Sequence, residues 1–295
     1  MSSLILNAST ALGLAGLYFL LASGLSLIFG LMNVLNLAHG AFFAVGGYAA
    51  WWVMDTLEIV SSLGLRFVIA VAVAAIAGFV VGGLVERGLV ARLYGKHLEQ
   101  ILLTIGLSYV FVALLGGWFT YDPRLMTQPD WFGATTEVFG ANIPNNRLLV
   151  LAVAVAALVG LLVFLNRTRH GLIIRAGVEN APMVRALGID VSRSFTIVFA
   201  IGGLLAGVGG ALGAVYFNGI NPSLGTTQLI FAFIVVVIGG LGSVPGTAIS
   251  ALLVAFTQVF ANNYLTTGLG SISVVVLLAL VLLVRPQGLL GRAET

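Results

Sequence analysis

From Ser194 to Val284 the chain runs for ninety-one residues without an Asp, Glu, Lys, Arg or His. A soluble domain draws about a quarter of its residues from the charged types, which it needs to cover its surface. Here charged residues make up 8% of 295 and apolar ones 60%. Apolar runs long enough to cross hydrocarbon as helices, at about 1.5 Å per residue, recur along the whole length. The expected fold class is therefore all-α: a polytopic helical membrane protein, with residues 1–295 forming a single transmembrane domain.

The runs predict spans over about 11–29, 41–54, 67–85, 101–120, 148–165 and 195–217. Two thirteen-residue runs follow, 229–241 and 248–260, nominally too short to span. They read as two short helices or as a re-entrant hairpin near 229–260, turning at GGLGSVPG. A last span covers 271–284. The total is eight or nine membrane segments. No Lys or Arg precedes Arg66, so the first run reads as a retained helix and not a cleaved leader.

Orientation follows from the basic residues. The loops at 86–99, 166–193 and 285–295 hold ten of the thirteen Lys and Arg. The positive-inside rule puts these loops in the cytoplasm, the N-terminus in the periplasm and the C-terminus in the cytoplasm of a bacterial inner membrane. The pI near 9.5 then reflects topology and gives no reason to expect a nucleic-acid partner. No internal repeat is evident by eye, which leaves a structural one open.

Missing chemistry narrows the function. With no Cys there is no disulfide and no thiol site. The lone lysine, Lys96, lies in YGKHLE, and no GxxxxGK[ST], HExxH or GxSxG occurs. The chain is not expected to be an enzyme, and no cofactor or metal site is expected in it. No acidic residue lies well inside a span, which disfavours carriers driven by intramembrane carboxylates. Energy is expected from another polypeptide.

The segment Asn166–Arg193 carries five of the thirteen basic residues between long uncharged runs. Asn180 can cap a helix, Pro182 fits its first turn, and Gly188 suits the left-handed position beyond its end. This predicts a helix of about two turns over 181–187, with Met183 and Leu187 on one face and Arg185 on another. Such a helix can dock into a groove on a cytoplasmic partner or lie on lipid anchored by its arginines.

Elsewhere, Asn33, Asn36 and His39 recur at a spacing of three and mark a candidate substrate pathway. They line a cavity if their link lies at membrane depth, and form a solvated interfacial turn if it does not. Asn221 and Gln228, flanking Pro222, are candidates for its outer mouth, or else for a capped outer loop. Gly203, Gly207 and Gly210 share roughly one helix face and are assigned to close helix packing.

The blocks GLSLIFGLMNVLNLAHGAF (24–42), ENAPMVRALGIDV (179–191), NGINPSLG with VVVIGGLGSVPGT (218–247) and RPQGLLGR (285–292) resemble the permease family of branched-chain amino acid ABC importers. The likeness covers nearly the whole chain, and within the family it is closer to the shorter, LivH-type subunit. It implies a second homologous permease subunit, two cytoplasmic ABC ATPase subunits that use the ATP, and a periplasmic amino-acid-binding protein. It also implies that 166–193 is the cytoplasmic coupling loop, with Glu179, Arg185, Leu187 and Gly188 as candidate ATPase-coupling residues. The EAA-x3-G spacing of many ABC permeases is not met, because Gly188 lies nine residues after Glu179, so only the loop's location and general role carry over. Two other readings share the composition: the same architecture carrying urea or short-chain amides, and a passive channel or non-transporting scaffold.

Overall fold

The computed structural model describes residues 2–138, 140–186, 188 and 191–291, with backbone alone at 178–182, 185 and 191. Its helices are α1 Ser2–Met32, α2 His39–Thr56, α3 Leu63–Gly88, α4 His97–Phe119, α5 Asp130–Gly133, α6 Asn145–Arg167, α7 Arg169–Ala186, α8 Val191–Tyr216, α9 Leu224–Gly239, α10 Val244–Tyr264 and α11 Leu269–Val284. A short antiparallel hairpin, β1 Thr135–Val138 with β2 Ala141–Pro144, sits between α5 and α6. Among the described residues six helices are long and apolar enough to cross a membrane, and α9 and α11 are shorter apolar helices. The bundle is polytopic and helical.

α1 and α8 form its centre. In their most apolar stretches 89% and 78% of residues are buried, against 22–28% in α3, α4 and α6. Lipid is as apolar as leucine, so such a centre is held by close packing rather than by water exclusion. Glycine makes that packing possible. A Cβ at Gly202 would stand 2.9 Å from the Ile28 side chain, and one at Gly82 2.7 Å from the Phe199 carbonyl oxygen. Gly203, Gly207 and Gly210 lie on α8 where the backbones of α2 and α3 press closest, against Gly78, Ala74 and Phe43.

These contacts reveal an inverted repeat. α8 runs antiparallel to α3, through Gly203 on Gly78 and Phe199 on Gly82. α1 runs antiparallel to α10 in the same way, through Gly30 on Gly242 and Tyr18 hydrogen-bonded to Gln258 at 2.6 Å. α2 lies parallel to α8, with the His39 ring by Gly202 and Gly47 on Gly210. α9 lies parallel to α1, with the Phe231 ring stacked on Tyr18 at 5.5 Å and Gly242, just past its end, on Gly30. α1 and α8 are themselves antiparallel, joined at Gly24–Gly202 and at Thr10–Tyr216. The units α1–α2–α3–α4 and α8–α9–α10–α11 are thus related by a pseudo-two-fold axis across the bundle, the inverted topology common in transporters.

The repeat extends to local chemistry. Residues 33–40 read NVLNLAHG and 218–225 read NGINPSLG, a shared Asn-x-x-Asn-x-x-x-Gly. Asn33 and Asn218 both take left-handed backbone, φ 52° and 55°, which Asn tolerates better than other side chains. Asn36 Oδ1 accepts the Ala38 N–H at 3.2 Å, and Asn221 Oδ1 accepts the Ser223 N–H at 3.1 Å. Each is an Asx turn feeding a helix start. Further on, Ser62 caps α3 through the Leu65 N–H, and Ser243 caps α10 through the Gly246 N–H.

Two expectations need correction. The helix placed over 181–187 begins twelve residues earlier, because Thr168 Oγ1 accepts the Gly171 N–H at 3.0 Å and starts α7 at Arg169. The run at 248–260 is the middle of a twenty-one-residue helix, α10, with Pro245 in its first turn.

Candidate functional site

The link between α1 and α2 does not stay at the end of the bundle. His39, the first residue of α2, donates from Nε2 to the Leu21 carbonyl at 3.1 Å. Leu21 stands eleven residues before the end of α1, roughly 16 Å back along its axis. After α1 ends, the chain therefore climbs back to the bundle's middle before α2 begins. The link after α8 does the same from the other end. Its Ile220 pairs with Arg124 through two backbone bonds, and α9 then begins beside α2's first turns. The two helix starts meet at glycine: a Cβ on Gly40 would stand 2.5 Å from the Gly225 carbonyl oxygen.

The five candidate pathway residues divide between these links. Asn36 and His39 are fully buried, whereas Asn33 is exposed. Asn33 lines an open cavity of about 1100 Å³ at the Arg-rich end, together with Asn166, Arg175, Ser243 and Gln287. Arg175 donates to Asn166 Oδ1 at 2.6 Å across its rim. Asn221 is half-buried, and its Oδ1 also accepts the Ser223 hydroxyl at 2.9 Å; Gln228 is buried one turn into α9. The structure thus gathers His39, Asn36 and the first turn of α9 at the bundle's centre. It leaves Asn33 and Asn221 on opposite sides of it.

The buried polar atoms at this centre are incompletely satisfied. Asn36 Nδ2, His39 Nδ1 and Thr226 Oγ1 have no hydrogen-bond partner among the described residues. Because the Ala38 N–H needs an acceptor, the Asn36 amide is oriented with Oδ1 toward it, so the free atom is a donor. Because a carbonyl only accepts, His39 Nε2 carries a proton; in the neutral ring Nδ1 is then a bare acceptor.

The candidate coupling residues lie on or after α7, which turns along the Arg-rich end. Gly171, Ile174, Gly177 and Val184 face the bundle, with Gly177 against Leu31 at the end of α1. Leu172, Arg175 and Met183 face outward. Glu179 and Arg185 are within the helix, and Leu187 lies outside the described residues. Gly188 takes φ +75°, the left-handed conformation past the helix end.

A feature the sequence did not single out sits beside this helix. Glu86, at the end of α3, is fully buried. It accepts hydrogen bonds from the Tyr94 hydroxyl and, at 2.6 Å, from the Thr196 hydroxyl on α8. Burial and the facing carboxylate push the Tyr94 phenol well above its ordinary value, so it remains a donor at neutral pH.

Comparison with known proteins decides the family. The family described as branched-chain amino acid transport system / permease component matches residues 7–285. This chain belongs to it. High-affinity branched-chain amino acid transport system permease protein LivH of Salmonella typhimurium is 29% identical over 290 residues, covering 95% of the permease and 93% of LivH. BraD of Pseudomonas aeruginosa, named in the same terms, is 30% identical over 94% and 92% of the two chains. LivM of Escherichia coli is 27% identical and covers 93% of the permease and 68% of LivM. No solved structure matches. The family model spans both links, α7 and all of the inverted repeat but the first residues of α1.

Proposed function

We propose that the permease is one membrane-spanning subunit of an ATP-binding-cassette importer that moves branched-chain amino acids into the cytoplasm. It pairs with a second homologous permease subunit and is driven by two cytoplasmic ATPase subunits, which use the ATP. A periplasmic amino-acid-binding protein delivers the substrate. The observation that carries this reading is the family match across 7–285, the stretch that contains α7. Its relatives include both LivH and LivM, which favours a pair of related permeases.

In this reading the Arg-rich end is cytoplasmic and the hairpin end periplasmic, as the positive-inside rule requires. The chain makes nine passages, two of them begun at the bundle's middle: α2 runs from there outward and α9 from there inward. The region near 229–260 is then one such passage followed by a full one. Asn33, Asn36, His39, Asn221 and Gln228 form the pathway, with Asn33 at its inner mouth and Asn221 at its outer one. α7 is the coupling helix, with Glu179, Arg185, Leu187 and Gly188 toward the ATPases. Its movement is passed to α1 at Gly177 and to α8 beyond Gly188.

The test is ATP-driven uptake by the assembled importer in proteoliposomes, with leucine, valine and urea competing. Inhibition by leucine and valine but not urea supports the assignment. Uptake that persists without the ATPases points to a passive channel, and preference for urea points to the amide carrier. Arg185→Glu is expected to lower uptake about tenfold or more with the protein still in the membrane, the size of effect expected when one charged contact is reversed. Normal uptake in that variant sinks the coupling assignment.

A further inference from the structure

We infer that the meeting point of the two links is an occluded binding site for the amino-acid backbone, with Asn36 and His39 as its polar contacts. The inference rests on the importer reading above and assigns the place in this subunit where the substrate is held.

The chemistry comes from two of the three atoms left over at this centre. Asn36 Nδ2 is a buried donor without an acceptor, and His39 Nδ1 is a buried acceptor without a donor. Leaving such groups unmatched is costly in a low-dielectric interior. A zwitterion satisfies both at once, its carboxylate accepting from Asn36 and its ammonium donating to His39. The carboxylate end also meets the positive end of α2, an eighteen-residue helix whose first residue is His39.

The surroundings suit a branched aliphatic side chain. The Phe42 ring lies 5.9 Å from His39 and 6.4 Å from Phe199, and Ile28 reaches Gly202 beside them. These groups are apolar and offer dispersion contacts without competing hydrogen bonds.

The site is closed on both sides by main chain. Gly24 and Gly202 press on the His39 ring, and Gly40 seals against Gly225. Asn33, at one end of the inner link, opens onto the 1100 Å³ cavity, while Ser223, at the end of the outer link, is exposed. Each link therefore serves as the gate toward one side. Parting Gly40 from Gly225 by moving one link opens the site to that side alone.

The assembled importer in proteoliposomes tests this. Wild-type ATP-driven leucine uptake is measured first; its absence would strike the parent reading and not the site. Given uptake, Asn36→Asp keeps the Oδ1 that accepts the Ala38 N–H but replaces the free donor with an anion facing the carboxylate. The apparent KM for leucine is expected to rise about tenfold or more, as when a charged hydrogen bond is lost. A KM within twofold of wild type overturns the site. As a second measurement, Ala38→Cys is introduced into this cysteine-free chain, and its modification by a methanethiosulfonate is read as a mass shift during turnover. Modification that leucine slows supports the site. No modification, or modification that leucine does not slow, overturns it and leaves a buried structural junction.

Discussion

The link that follows α1 and the link that follows α8 share a sequence pattern, a left-handed Asn, an Asx turn and a sealing glycine, yet they treat their polar atoms differently. In the outer link Ser223 supplies both its N–H and its hydroxyl to Asn221 Oδ1, which is thereby satisfied on the spot. In the inner link the equivalent position is Ala38, which has no hydroxyl, and the position after it is His39 where the outer link has Leu224. The result is a buried unpartnered donor and acceptor, Asn36 Nδ2 and His39 Nδ1, in one half, against a single unpartnered Thr226 hydroxyl beyond the turn in the other. Symmetry of backbone without symmetry of side chains is what a two-gated pathway requires: matching hinges around a single-sided site.

The comparison can be broken first at its axis. Gly40→Val and Gly225→Val each force side-chain atoms into the partner's backbone, so both should be lost from the folded fraction, at about 3 kcal/mol or more of overpacking. Gly106→Val, where nothing lies within 4 Å, should retain wild-type yield by size-exclusion of detergent-extracted protein. Survival of one of the two axis variants would mean the glycines are not equivalent. The next largest effect lies off the symmetry, at the buried carboxylate where α3 ends beside the start of α8. Glu86→Ala leaves the Tyr94 and Thr196 hydroxyls without their acceptor and should destabilise by about 1–3 kcal/mol in thermal unfolding, with Glu86→Gln milder.

Smaller effects test the repeat's details. Ser243→Ala should cost about 1 kcal/mol, as loss of a helix cap does. Ser62→Ala should cost less, since its bond to Leu65 is longer, 3.4 Å against 3.1 Å, and exposed. Smallest are Asn33→Gly and Asn218→Gly, which keep the left-handed turn and should shift stability by only a few tenths of a kcal/mol relative to wild type, whereas alanine at either position should cost about 1 kcal/mol. A large loss for one glycine variant alone would show that its side chain does more than turn the chain.

Much of this was legible in the residues. Charge depletion fixed the helical membrane class, and the Arg-rich loops marked one end of the bundle. Asn33, Asn36 and His39 stood out because polar residues inside an apolar run require a reason. Their depth was not legible, since it depends on how far the link climbs after α1, which is a matter of packing against Leu21 and Gly202. The inverted repeat was missed because it preserves three positions in eight between links 185 residues apart, while the flanking helices are interchangeable apolar runs. Glu86 was passed over as a residue at a span edge; only the fold brings Thr196 to it from 110 positions away. The length of α7 was misread because Pro182 looked like a starting signal, and the Thr168 cap upstream carried the actual start.

The C-terminal tail has a consequence for how this protein is made. α9 ends with carbonyls at Ile238 and Gly239 that accept the N–H groups of Leu289 and Leu290, at 2.7 and 3.1 Å. Those acceptors are synthesised some fifty residues before their donors. α9 therefore stays unfinished until the residues beyond α11 have been made and have folded back onto it. A nascent chain halted short of Leu289 would present every apolar segment to the membrane and still lack the clasp that completes it.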